Sequence, residues 1–162
     1  MKKLLVGLLA LWMVVLLAGC AKDPRKGEAK TFTNEGISIT LTDVFRKTDV
    51  EGFAVAYDSS KVGVLVTKEA FADIPNADTL TLEDYAQLVL NVNEDKTSEV
   101  KNTDGLTYLE YVAKSNGKNY GYLVCMYRGT DAFWLVQFAV PESDFSDYRA
   151  SLVDWAKTVT FS

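Results

Sequence analysis

Leu106-Thr107-Tyr108-Leu109-Glu110-Tyr111-Val112-Ala113, then Ser115-Asn116-Gly117-Lys118, then Tyr120-Gly121-Tyr122-Leu123-Val124-Cys125-Met126-Tyr127: this stretch decides the fold. Two runs rich in aromatic and branched residues flank Asn-Gly, the dipeptide best suited to the two positive-φ positions of a tight hairpin turn. A third run, Phe133–Val140, returns after a tight connection at Gly129-Thr130 that sets Arg128 opposite Asp131. In these registers Leu109, Val124 and Leu135 share one face, and Tyr108, Cys125 and Trp134 share the other. An antiparallel sheet with one wet face alternates apolar and polar residues. Here both faces are apolar, so something must cover each side.

Two amphipathic segments can supply that cover. Thr81-Leu82-Glu83-Asp84 reads as a capping-box helix start, and Leu82, Tyr85, Ala86 and Val89 follow at i, i+3, i+4 and i+7 in a helix running to Val92. The polar segment Asn93–Lys96 ends it. Pro141-Glu142-Ser143-Asp144 opens a second helix with acids in its first turn, where the helix dipole favours them. Phe145, Tyr148, Leu152 and Trp155 make its apolar stripe, which ends near Ala156. Upstream, Gly36–Thr42 alternates as a strand. Phe53–Tyr57 and Val62–Thr67 form a hairpin whose two-residue loop, Ser59-Ser60, sets Asp58 opposite Lys61. Asp73–Thr79 is a loop, and Lys157–Phe161 closes the chain as a short strand. The fold class is α+β: a mainly antiparallel sheet with helices on both faces, an α/β/α sandwich in one domain over residues 31–162.

The start of the chain has a different grammar. Lys2 and Lys3 precede an apolar run, Leu4–Leu17, that is 14 residues long and shorter than the roughly 20 needed to cross a bilayer. Small residues follow in Leu17-Ala18-Gly19-Cys20, completing the basic, apolar and cleavage regions of an export signal over residues 1–19. Ala21–Lys30 is polar, holds Pro24 and Gly27, carries four bases against two acids, and reads as a flexible tether. With its two lysines removed from the 17 basic residues, the remainder has 15 bases against 22 acids, a formal charge of −7. That balance argues against nucleic acid as a partner and against a domain lying flat on anionic lipid.

The residues also limit the chemistry. The sequence has no histidine, which removes Ser-His-Asp and Cys-His catalysis and histidine-containing zinc sites; no Cys-x-x-Cys replaces them. No phosphate-binding glycine motif is present. Asn91–Lys96 offers oxygen ligands at alternate positions, but Lys96 stands where a calcium loop needs glycine and Asn102 where it needs glutamate. The carboxylate pairs Glu83/Asp84 and Asp144/Asp147 sit at helix starts, where the dipole accounts for them. The aromatic series Tyr108, Tyr127 and Trp134 is core by the same alternation that defines the sheet. Cys125 lies in an apolar strand as a small hydrophobe; a reactive thiol or intermolecular disulfide is the other fate open to an odd exported cysteine.

Two resemblances extend this reading. Leu17-Ala18-Gly19-Cys20 resembles the lipobox of bacterial lipoproteins. It implies cleavage before Cys20, diacylglycerol on the Cys20 sulfur, and residence outside the cytoplasmic membrane, or at an outer membrane in a two-membraned cell. From Thr31 to Ser162 the order of elements is similar to the PsbP/DcrB superfamily of α/β/α sandwiches. The likeness rests on Gly36-Ile37-Ser38-Ile39, Asp104-Gly105-Leu106-Thr107-Tyr108 and Trp155-Ala156-Lys157-Thr158-Val159-Thr160-Phe161. That resemblance implies an accessory protein docking an envelope partner or membrane complex, with no catalytic residues, metal or cofactor to carry over. The alternative is a small-molecule binding module with a pocket between sheet and helix.

Overall fold

The computed structural model describes residues 22–92 and 98–162. In chain order the strands are β1 (Ala29–Asn34), β2 (Ile37–Thr42), β3 (Arg46–Thr48), β4 (Val55–Asp58) and β5 (Gly63–Ala70). After helix α1 (Leu82–Val92) come β6 (Lys101–Thr103), β7 (Leu106–Ser115), β8 (Lys118–Arg128) and β9 (Ala132–Pro141), then α2 (Glu142–Ala156) and β10 (Thr160–Phe161). They make a seven-stranded sheet of order β3-β4-β5-β9-β8-β7-β6 and a three-stranded sheet of order β1-β2-β10, antiparallel throughout.

The central strand carries the reason for the architecture. From Ala132 to Val140 every residue of β9 is buried, so neither face of the large sheet meets water there. One face, with Leu109, Val124 and Leu135, packs under Tyr85, Ala86, Val89 and Leu90 of α1. The other, with Tyr108, Cys125 and Trp134, packs under Tyr148, Leu152 and Trp155 of α2 and under Ile37, Ile39 and Leu41 of the small sheet. Helices cover both faces, as the doubly apolar pattern demanded. The small sheet as a second layer beside α2 is an addition that the sequence reading lacked, as are β1, β3 and β6, whose residues are mostly exposed and show no alternation.

Turn chemistry sets the registers. Asn116-Gly117 joins Ser115 to Lys118 with φ of 48° and 78°, and Asp104-Gly105 joins Thr103 to Leu106 with φ of 58° and 77°. Two expected registers are corrected, each by two residues. Asp58 faces Gly63 rather than Lys61, because Ser59 bonds Val62 through both its amide (3.0 Å) and its hydroxyl, and Ser60-Lys61 becomes the turn. Arg128 faces Phe133 rather than Asp131, with Gly129 N–H bonded to the Ala132 carbonyl at 2.9 Å. Gly129 lies so close to Trp134 that a Cβ there would stand 2.8 Å from its Nε1. A slip of two preserves which side chains share a face, so the face assignments hold.

Thr81 and Asp84 close the expected capping box reciprocally. The Thr81 hydroxyl accepts the Asp84 amide at 3.1 Å, and the Asp84 carboxylate accepts the Thr81 amide at 3.0 Å. At the start of α2 the contact is closer still. A Cβ on Gly121 of β8 would lie 2.5 Å from the ring of Phe145, so the helix seats directly on the backbone of the sheet. Strand propensity alone favours Ala over Gly at such a position. The packing reverses that sign: Gly121→Ala is expected to lower the unfolding free energy by about 1–3 kcal/mol, measured by urea denaturation.

Candidate functional site

The expected lipid site, Cys20, and the signal before it lie outside the described residues, as do residues 93–97, part of the rejected calcium loop. The described chain begins two residues after Cys20. It is not a free tether: residues 22–30, assigned to that role from composition, pack against the domain.

Pro24–Lys26 form a single 3-10 turn capped by Asp23, whose Oδ1 accepts the Arg25 amide at 3.0 Å. Proline suits this first helical position because its missing N–H would have no helical partner. The Arg25 guanidinium grips the same carboxylate, Nε to Oδ1 at 3.0 Å and Nη2 to Oδ2 at 2.7 Å. It also lies 4.2 Å from the ring centre of Tyr148 on α2 and donates to the Asp147 carbonyl at 3.3 Å. The Tyr148 hydroxyl donates back to Asp23 at 3.0 Å. Asp23, Arg25 and Tyr148 thus form a closed clasp between the N-terminal segment and α2.

The other side of the segment is seated on the small sheet and the β4–β5 turn. Pro24 is buried, and its carbonyl accepts the Thr42 hydroxyl at 2.7 Å. The Ser60 hydroxyl donates to the Lys22 carbonyl at 3.3 Å. Gly27 crosses Thr42–Val44 so closely that a Cβ would collide with the Asp43 carboxylate and lie 2.8 Å from both Thr42 and Val44. Glycine is there for close approach rather than for flexibility, which is why composition misassigned the segment.

The hydrogen bonds from Arg25 hold the Asp23 carboxyl well below the usual carboxylate range, against the opposing effect of burial. Burial, with the Asp23 hydrogen bond second, pushes the Tyr148 hydroxyl up to about 12. Because the folded Asp23 pKa is depressed, the clasp's contribution is complete above the unfolded value near 4 and fades only as pH falls through the lower folded one. The clasp is therefore intact from mildly acidic to mildly alkaline conditions.

The remaining candidates divide by what surrounds them. Cys125 is buried, and that burial pushes its thiol up to about 12, so it is an inert core residue. Glu83/Asp84 stand at the start of α1, where Thr81 holds the Asp84 carboxyl below its ordinary value. Asp144 pairs with Lys61 at 2.9 Å, while Asp147 enters the clasp through its carbonyl. Tyr108 and Trp134 are buried and Tyr127 half-buried, its hydroxyl donating to the Ala156 carbonyl at 2.7 Å. Among the described residues no cluster of three or more carboxylate or cysteine groups could hold a metal ion.

On the α1 face, Tyr85 stacks on Phe133 at 4.1 Å and donates to the buried Glu69 at 2.6 Å, filling that part of the contact. Further along the same face the Tyr122 hydroxyl and the Gln137 amide nitrogen are buried with no hydrogen-bond partner among the described residues. Tyr111 stacks on Tyr122 at 4.9 Å. A cleft of about 460 Å³ lies elsewhere, in the β3–β4 connection, lined by Glu35, Lys47, Asp49 and Glu51 among others.

Weakening the clasp exposes the basic residues within it. Tryptic cleavage after Arg25 and Lys26 is expected to accelerate several-fold in Asp23→Ala and in Tyr148→Phe, while the folded core resists as before; mass spectrometry of the timed digest reads both.

No known family model matches the chain, and no curated protein matches it in sequence. Solved structures do. Cyanobacterial PsbP (CyanoP) from Synechocystis sp. PCC 6803 superposes with a TM-score of 0.54 at 14% identity, over 89% of this chain and 96% of that one. LpqN of Mycobacterium tuberculosis, described as involved in cell envelope biogenesis, gives 0.50 at 8% identity, over 86% and 94%. A Bacteroides thetaiotaomicron VPI-5482 protein gives 0.53 at 10% identity over 84% of this chain, which spans only 48% of that one. At these identities the likeness is one of fold, and the fold is PsbP-like.

Proposed function

We propose that the chain is a lipid-anchored, non-enzymatic accessory domain of the bacterial envelope that docks a protein partner or membrane complex from the outer side of the membrane. The observation that carries this reading is the sequence Leu17-Ala18-Gly19-Cys20 followed, two residues later, by a segment clasped onto the domain. Two acyl chains on Cys20 supply what stable membrane residence requires, since one chain holds only marginally. No described helix is long and apolar enough to cross a membrane, so the anchor would carry the attachment. The fold shared with CyanoP and with an envelope-biogenesis protein supports an accessory role. The missing histidine and the inert Cys125 supply no catalytic constellation.

The test is cross-linking mass spectrometry on intact membranes, comparing wild type with Cys20→Ser. The anchored form is expected to capture a specific envelope protein that the unanchored form does not. Equal capture by both, or full function of an unanchored domain, would refute membrane-dependent docking.

A second reading, small-molecule binding on the α1 face, is favoured by the Tyr122 hydroxyl and the Gln137 amide, buried polar atoms among stacked tyrosines. A buried amide that makes no hydrogen bond costs about 1–3 kcal/mol. Gln137→Leu should therefore raise the unfolding free energy by about 1 kcal/mol in urea if the site serves only packing. If a ligand satisfies it, the wild type alone gains melting temperature in a metabolite thermal-shift screen.

A further inference from the structure

On the α1 face of the large sheet the registers align a row of residues across four strands. Tyr111 of β7 stands opposite Tyr122 of β8, Tyr122 opposite Ala139 of β9, and Ala139 opposite Gly63 of β5. The Tyr111 and Tyr122 rings lie 4.9 Å apart and within 12° of parallel. That separation matches the spacing of neighbouring strands, so the rings stack along the row. The next two positions carry a methyl group and a hydrogen, and among the described residues no second ring stacks on Tyr122. A planar ring standing over Ala139 would continue the stack at the same spacing. Further along this face the chain supplies such a ring itself: Tyr85 of α1 stacks on Phe133 at 4.1 Å, and its hydroxyl donates to Glu69.

Two polar groups flank the position over Ala139. The Tyr122 hydroxyl and the Gln137 amide nitrogen belong to side chains 2% and 5% exposed, and neither atom has a hydrogen-bond partner among the described residues. Gln137 precedes Ala139 by two residues on the same face and lies diagonally across from Tyr122. Burial pushes the Tyr122 hydroxyl above its ordinary pKa, so it stays protonated and able to donate. In the adjoining row Leu65 stands opposite Gln137 and Ala56 opposite Leu65, and both are buried outside the two described cores.

Charge narrows the ligand. The Tyr111–Gly63 row ends in Asp58, and its one cation, Arg46, stands opposite that carboxylate. A carboxylate ligand would therefore be buried without a counter-ion, at high cost, whereas a neutral carbonyl oxygen has two lone pairs for two donors.

We infer that the corner over Ala139 and Gly63 binds a planar, uncharged aromatic ring bearing a carbonyl oxygen, the ring stacked on Tyr122 and the oxygen accepting from the Tyr122 hydroxyl and the Gln137 amide. This rests on the small-molecule reading of the α1 face and adds the chemical class of the ligand to it.

The test uses the full chain in lipid nanodiscs, with protein-free nanodiscs as the blank. It is titrated calorimetrically with three compounds of one skeleton: 1-indanone, indane, which lacks the carbonyl, and octahydroinden-1-one, which lacks the aromatic ring. 1-Indanone is expected to bind about tenfold more tightly than either. In Gln137→Leu its advantage over indane should fall toward unity, and Ala139→Leu, which fills the place of the ring, should remove binding of both. Gln137→Leu is expected to fold at least as well as wild type, so the comparison stands even if Ala139→Leu fails to fold. Equal binding of all three compounds, or an advantage that survives Gln137→Leu, overturns the ligand class and leaves the small-molecule reading in place. If none of the three binds, the metabolite thermal-shift screen separates the two. A ligand whose effect is lost in Gln137→Leu overturns the class alone, and a screen without one overturns both.

Discussion

A central strand with no wet side is the constraint from which the rest of this structure follows. Nine successive buried residues in β9 oblige the sheet to be covered on both faces, and the chain meets that demand with different materials on each. One face takes α1 together with the Phe71–Leu80 connection, sealed by the Tyr85–Phe133 stack. The other takes α2 together with β1, β2 and β10. The small sheet extends that cover beside α2, and the N-terminal segment is drawn into the structure as its outer strand.

That recruitment explains the junction. Once β1 pairs with β2 from Ala29 onward, the chain before it must pass over Thr42–Val44 and beside α2. Gly27 makes the crossing sterically possible, Pro24 fixes the turn that precedes it, and the Asp23–Arg25–Tyr148 clasp satisfies the polar groups along the way. Exposed ion pairs contribute little to stability, and nothing in the fold needs this one to be strong. What a cluster of three mutually bonded groups supplies is a defined geometry at the point where the chain leaves the domain.

How much of this was legible in the sequence depended on whether a residue had one physical job or two. Asn116-Gly117 serves only as a turn, and its reading was right. Gly129 looks the same in sequence, yet its role is to lie under the Trp134 indole, so the turn falls one residue later and the register moves by two. The face pattern survived because parity survived. The segment 22–30 failed for the same reason: Pro, Gly and charge are the vocabulary of linkers, and nothing local distinguishes a glycine kept for freedom from one kept for close approach. Tyr148 was read as one step of an apolar stripe, which it is, but its hydroxyl's partner lies 125 residues away and has no sequence signature. The unpartnered Gln137 amide was hidden inside a strand legible only as apolar.

The distinction between a tether and a clasp changes what kind of partner the domain can meet. A flexible ten-residue linker lets a domain sample a hemisphere above the membrane, and its effective concentration at any one target is diluted over that volume. A junction fixed to within two residues of Cys20 gives up that reach. With the proposed lipid on Cys20, the domain would be held near one height, so part of the cost of association would be met before encounter. Such an arrangement suits a partner embedded in, or standing beside, the same membrane and suits a freely diffusing one much less.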